Sequence, residues 1–283
     1  MKECELYKAE KGKVRCLACA HKCLIGKENT GICDVRKNIN GKLYLLVYGK
    51  VVSMHADPIE KKPLYHFLPK TKAFSIGTIG CNFKCDFCQN FEISQVKEII
   101  GEEITPERIV DNAIKTGCKS IAYTYNEPII WAEFVKDIAK LAKEKGLKNI
   151  LVTNGYFSKE SFDYISDYID AMNIDLKSFN EEFYKRYCGG KLQPVLDTIK
   201  RAHKAGIHIE ITTLLISSLN DSEKELEKIA KFIASISKRI PWHISRFFPM
   251  YKMLDKHPTS IDSLEKAYKM GKKHLKYVYL GNV

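Results

Sequence analysis

Ala73-Phe74-Ser75-Ile76-Gly77-Thr78, followed closely by Gly80-Cys81-Asn82-Phe83-Lys84-Cys85-Asp86-Phe87-Cys88-Gln89-Asn90, decides how the chain is read. The first stretch is a short apolar run, the pattern of a buried strand. The second sets three cysteines at Cys81-x3-Cys85-x2-Cys88 just beyond its end. Three thiolates fill three corners of a cubane iron–sulfur cluster and leave the fourth iron without a protein ligand, open to bind something else. Zinc suits the spacing less well, because it takes four ligands and commonly arrives at paired C-x-x-C steps. Disulfides need an oxidising compartment, which nothing in the sequence indicates.

Outward from this stretch, short apolar strands alternate with helical segments, which implies a parallel sheet with crossover helices. Strands are expected at 73–78, 120–125, 149–153, 171–175, 207–215, 242–247 and 276–280. Helices are expected at 106–116, 129–145, 159–168, 194–205, 221–235 and 260–274. The first of these helices opens with Thr105 as N-cap and a proline at its first position. Six βα units fall short of the eight of a closed barrel, so the expected fold is α/β, a partial (β/α)6 TIM-like barrel over residues 67–283. The loops after the strand C-termini carry the site in such a fold. The cysteine motif, Asn126-Glu127, Asn154-Gly155 and Asp175-Leu176-Lys177 all fall in such loops.

Residues 1–66 read as a separate Cys-rich subdomain. Cys16-x2-Cys19-x3-Cys23-x9-Cys33 precedes an expected hairpin of 42–48 with 50–54. Asp57-Pro58-Ile59-Glu60-Lys61-Lys62-Pro63-Leu64-Tyr65-His66 then leads into the barrel. The four thiolates suit zinc or an auxiliary iron–sulfur cluster, with His21 able to replace one of them. The plain alternative is reduced cysteines packed in a small subdomain. Cys4, Cys118 and Cys188 read as isolated buried thiols.

The chain has 283 residues and 45% hydrophobic content, enough for one large α/β domain or a barrel with an appendage. Met1-Lys2-Glu3-Cys4 opens no apolar signal region, and no run approaches the ~20 apolar residues of a membrane span. A cytoplasmic protein with no membrane partner is expected, in which ten cysteines point to metal or redox chemistry. The formal charge of +12 would attract nucleic acid, anionic substrates or an acidic protein. Much of the lysine, however, is interleaved with glutamate, as in Asp221-Ser222-Glu223-Lys224-Glu225-Leu226-Glu227-Lys228, and solvates helix faces.

The cysteine spacing, with aromatic Phe87 before the third cysteine, resembles the signature of the radical S-adenosylmethionine (SAM) superfamily. That resemblance implies a 4Fe-4S cluster on Cys81, Cys85 and Cys88 whose open iron chelates SAM. One electron then cleaves the sulfonium to a 5′-deoxyadenosyl radical, chemistry that belongs to the cofactors while the protein positions them. Longer strings are similar to the radical SAM member of the AmmeMemoRadiSam system, itself similar to pyruvate formate-lyase activating enzymes. They include Cys16-Leu17-Ala18-Cys19-Ala20-His21-Lys22-Cys23, the stretch from Asp57 to Phe67, Tyr123-Thr124-Tyr125-Asn126-Glu127-Pro128, Trp242-His243-Ile244-Ser245-Arg246-Phe247-Phe248-Pro249 and Tyr277-Val278-Tyr279-Leu280-Gly281-Asn282.

The resemblance also implies cofactor contacts. Tyr125-Asn126-Glu127-Pro128 stands where the superfamily commonly carries a Gly-Gly-Glu-type motif; it keeps the acid and the proline but not the glycines. Glu127 would accept a hydrogen bond from the SAM ammonium, although Asn126-Glu127-Pro128 also reads as a simple helix cap. Asn154-Gly155 and Asp175-Leu176-Lys177 resemble elements of the glycyl-radical-enzyme activases, in which the lysine pairs with the SAM carboxylate. The aspartate there helps hold a monovalent cation, often with a second acid two residues before the asparagine. Val152 occupies that position, which leaves such a cation site short of a ligand. Thr212, Thr213, His243, Ser245 and Arg246 are candidates to face the lumen, with Phe87, Thr213 and Arg246 taken as cofactor contacts.

The activity implied is an activase that takes a hydrogen atom from a glycine of a partner protein, using SAM and a reductant such as ferredoxin or flavodoxin. Modification of RNA or another macromolecule is the alternative, resting on the basic charge and the extra cysteines. A non-catalytic metal-binding module is a third; absence of both Glu127 and Lys177 would have favoured it, and both are present.

Overall fold

Parallel strands that are largely buried build the centre of the protein; the computed structural model describes residues 1–283. The strands are β1 (Ser53–Pro58), β2 (Lys72–Gly77), β3 (Ser120–Tyr123), β4 (Lys148–Thr153), β5 (Ala171–Asp175), β6 (His208–Leu215), β7 (Trp242–Arg246) and β8 (Val278–Gly281). They lie in one sheet in chain order, with β1 and β8 as its edges. Strands β2 to β8 run parallel, and β1 is antiparallel to β2. Crossover helices α1 (Pro106–Lys115), α2 (Ala132–Glu144), α3 (Lys159–Ile165), α4 (Leu192–Lys204), α5 (Glu223–Ile236) and α6 (Ile261–His274) connect them. Thr105 caps α1 by accepting from the Arg108 N–H, with Pro106 in the first turn.

The hairpin expected between 42–48 and 50–54 does not form. Asn40 and Gly41 have φ of 49° and 86°, the left-handed pair of a two-residue turn whose twist suits adjoining strands. That turn pairs Arg36–Ile39 with Lys42–Leu45. Lys2–Glu3 takes the other edge of Lys42–Leu45, so nothing there is left for the next segment. Lys50–Val51 pairs instead with Glu102–Glu103, and Ser53–Pro58 becomes β1.

Two buried polar anchors fix the remaining pieces. Arg36 donates Nε to the Ile130 carbonyl at 2.7 Å and forks both terminal nitrogens onto Glu133 of α2, with both side chains almost fully buried. On β6, Glu210 accepts the N–H groups of Tyr65 at 3.0 Å and His66 at 2.8 Å. The rings of His208 and His243 lie 3.0 and 2.7 Å from the same carboxylate. Burial alone would raise the Glu210 pKa, but these partners hold it down at about 2. Glu210 thus ties the 63–66 segment to the sheet.

Candidate active site

The C-terminal ends of the parallel strands and the loops beyond them line a cavity of about 390 Å³. Cys81, Cys85, Phe87, Cys88, Asn126, Glu127, Asn154, Asp175 and Lys177 all reach it. Thr213 and Arg246 do not. Thr213 Oγ1 turns away to donate to the Leu176 carbonyl at 2.8 Å and to accept from Trp242 Nε1 at 2.9 Å. Arg246 gives Nε to the Thr259 carbonyl at 2.8 Å and lies over the Phe248 ring. Their neighbours Thr212 and Ser245 face the cavity instead, because adjacent strand residues point to opposite faces. His243 shares the face of Ser245, but its ring is taken by Glu210 at 2.7 Å.

The loop that carries the three cysteines is stapled at both ends to the turn after β3. Asn126 Nδ2 donates to Thr78 Oγ1 at 2.9 Å, the Ile79 carbonyl at 3.1 Å and the Gly80 carbonyl at 3.0 Å. Asn90 Nδ2 closes the far end on the Tyr125 carbonyl at 2.7 Å. Tyr125 holds φ at 69°, a conformation natural to glycine and rare for an aromatic residue. Its hydroxyl is held by Asp57 at 3.1 Å and its ring by the Lys62 ammonium at 4.9 Å, contacts that compensate for a missing motif glycine. Behind the loop, the Lys84 N–H donates to the Cys188 carbonyl at 2.9 Å and the Asp86 N–H to the Tyr187 carbonyl at 3.0 Å. Cys188 is therefore not an isolated thiol. Its side chain beside Cys85, together with burial, pushes the Cys85 thiol well above its ordinary range.

These residues fit a cubane cluster. The Phe83 N–H points at Cys81 Sγ from 3.4 Å, and Cys88 Sγ lies 3.1 Å from Ser94 Oγ, the kind of polar contact that tunes cluster sulfurs. Three cysteines spread around a roomy cavity suit a cluster, whose thiolates sit on separate irons.

Glu127 is buried, with three protein donors already on it. Its Oε1 accepts from Thr153 Oγ1 at 2.7 Å and the Ile129 N–H at 3.1 Å, and Oε2 from the Asn154 N–H at 2.8 Å. The capping alternative is thus physically realised, and the same contacts lock the turns after β3 and β4 together. Burial outweighs those donors and raises the Glu127 pKa to about 7. Lys177 Nζ pairs with Asp175 at 2.8 Å and lies 5.8 Å from the centre of the Phe87 ring. Burial works against its charge, but Asp175 keeps its pKa well above the usual lysine value.

Cys16, Cys19, Cys23 and Cys33 converge on a second, much smaller cavity of about 10 Å³. His21 also borders it, but its Nε2 is taken by the Asn82 carbonyl at 2.8 Å. The two cavities are back to back. A Cβ on Gly80, at the start of the cluster loop, would sit 2.5 Å from the Cys33 carbonyl oxygen.

Sequence reasoning missed Asn82, Cys188 and Lys62. Lys62 lines the larger cavity and is almost fully buried against Asp57, at 2.9 Å. Its Asp57-x4-Lys62 spacing was visible in the sequence; the proximity of Cys188 to Cys85 across about a hundred residues was not.

The profile of the Radical SAM superfamily matches residues 75–233. An uncharacterized protein of Methanocaldococcus jannaschii is 46% identical over 100% of this chain and 86% of its own length. Another protein of that organism, named for glycyl-radical enzyme activation, is 30% identical over 71% of this chain and 77% of its own. A domain of a pyruvate-formate lyase-activating enzyme from Bacteroides vulgatus aligns at TM-score 0.50 and 23% identity over 58% of this chain and 99% of that one, a likeness of fold. No helix is long and apolar enough to cross a membrane.

Proposed function

Because this chain belongs to the radical SAM superfamily, we propose that it cleaves S-adenosylmethionine reductively at a 4Fe-4S cluster on Cys81, Cys85 and Cys88 and uses the radical to abstract hydrogen from a glycine of a protein partner. When bound, the cluster and SAM supply the one-electron cleavage that yields a 5′-deoxyadenosyl radical. One observation carries the reading: nine residues picked from four separate loops reach a single cavity.

Each has a task there. Asn126 and Asn90 hold the cluster loop in shape. Glu127, pinned by Thr153 and Asn154, presents a carboxylate edge to the SAM ammonium. Lys177 shares its ammonium between Asp175 and the SAM carboxylate, so Asp175 serves as an orienting partner. Val152 stands in the cavity wall where the activases often place a second acid, which leaves a cation site beside Asp175 short of that ligand. The sheet is read as a partial barrel whose two unpaired edges leave a flank for a protein loop to enter. Residues 1–66 are read as a Cys-rich subdomain that adds a second metal, zinc or an auxiliary cluster. The name of the M. jannaschii relative that is 30% identical favours a glycyl-radical enzyme as the partner.

The test is anaerobic incubation of the reconstituted chain with SAM, dithionite and fractions of an extract from cells grown on α-deuterated glycine. The expected result is one fraction that develops a glycyl-radical signal in electron paramagnetic resonance, with deuterium entering 5′-deoxyadenosine. Formation of 5′-deoxyadenosine that follows an RNA fraction, with no protein radical, would overturn the partner assignment.

A further inference from the structure

Asn82 is only 1% exposed, and its Nδ2 has no hydrogen-bond partner. Its two acceptors are engaged: Oδ1 accepts from Asn154 Nδ2 at 2.7 Å, and the backbone carbonyl from His21 Nε2 at 2.8 Å. A buried N–H left unpaired is costly, so an acceptor is missing from what the protein alone supplies. Asn82 borders the small cavity surrounded by Cys16, Cys19, Cys23 and Cys33. A neutral thiol is a weak acceptor, whereas a metal-bound thiolate carries charge and accepts well.

The size of the cavity selects the metal. At about 10 Å³ the cavity is small, which favours a single ion over a cubane of eight atoms. Four thiolates in a water-poor pocket walled partly by Ile25, Ile32 and Ile130 suit zinc, which takes a closed tetrahedron of sulfurs in structural sites. The sulfurs do not stand in an ion's ligand geometry in this structure, so zinc binding would require them to reorient.

We propose that Cys16, Cys19, Cys23 and Cys33 bind one zinc ion, and that Asn82 donates its free N–H to one of the zinc thiolates. Because Asn82 adjoins Cys81 and its amide also holds Asn154, this bond braces the back of the cluster loop. The inference deepens the reading of residues 1–66 given above; it does not depend on the SAM chemistry.

Metal content of the anaerobically purified full chain tests it. One zinc per chain is expected beside the irons, and the joint variant Cys81→Ala, Cys85→Ala, Cys88→Ala should lose the irons and keep the zinc. A failure of the radical reading would therefore appear in the iron and leave the zinc untouched. Cys16→Ser should lose zinc. Should that variant fail to fold, cobalt added in place of zinc to the three-alanine variant decides, through the visible spectrum of tetrahedral thiolate-bound cobalt. Asn82→Leu, which removes the donor, should weaken zinc retention against a chelator by about 10–100-fold. About eight irons per chain with no zinc, no second metal at all, or no cobalt–thiolate spectrum would overturn the zinc site. Unchanged zinc retention in Asn82→Leu would overturn the hydrogen bond.

Discussion

Two groups of cysteines stand back to back in this molecule, and they differ in room more than in chemistry. Cys81, Cys85 and Cys88 rim about 390 Å³ of space together with an acid, a lysine and several amides, whereas Cys16, Cys19, Cys23 and Cys33 close on about 10 Å³. Three ligands with space beside them leave a metal coordination position open for a reactant. Four ligands without space leave none, and the metal then contributes stability instead of reactivity. On the proposed reading the same residue type serves reaction in one place and architecture in the other, and the neighbours decide which.

That contrast can be broken by experiment. The largest effect is expected from Cys19→Ser, which should lower the thermal midpoint or the soluble yield sharply while any folded fraction still cleaves SAM. Loss of cleavage in a chain of normal stability would invert the assignment. Arg36→Met comes next, because Arg36 borders the closed site and its loss strands the Glu133 carboxylate in the core. Urea unfolding should show about 3–5 kcal/mol of lost stability. SAM cleavage per folded molecule should remain unchanged.

Glu210 belongs to neither site and serves as a control. Its folded pKa of about 2 lies below the usual carboxylate value, so its contribution is full above about pH 4.5 and fades as pH falls toward 2. Wild type and Glu210→Gln should differ by roughly 3 kcal/mol in urea at pH 7, with the gap narrowing below pH 4. A gap independent of pH would mean that packing, not charge, ties the 63–66 segment down. The smallest effects are expected within the open site. Glu127→Gln and Lys177→Met should each weaken SAM binding by about 1–3 kcal/mol in calorimetry, with little change in thermal midpoint. Unchanged affinity in both variants would mean that the turns after β3 and β5 do not hold SAM.

The sequence made the parallel strands and the cysteine loop legible, because an apolar run ending in a fixed cysteine spacing is a local signal. The exchange of Thr213 for Thr212 and of Arg246 for Ser245 in the cavity wall shows where local signals stop. Both differ by one residue in a strand, and the alternation alone does not say which set points inward. The hairpin expected of 42–54 failed because Asn40-Gly41 is the stronger turn signal and fixed a different pairing. Cys188 and Asn82 act through neighbours that only the folded chain brings near: the β5–α4 connection lies behind Cys85, and the N-terminal cysteines lie behind Cys81.

The central claim is that Cys81, Cys85 and Cys88 carry the cluster at which SAM is cleaved. Formation of 5′-deoxyadenosine by the anaerobically reconstituted chain with dithionite tests it most directly, comparing wild type with Cys85→Ala at matched circular dichroism. The account predicts about four irons in wild type beyond those retained by Cys85→Ala, and product from wild type only. Equal product from the correctly folded Cys85→Ala protein would contradict it.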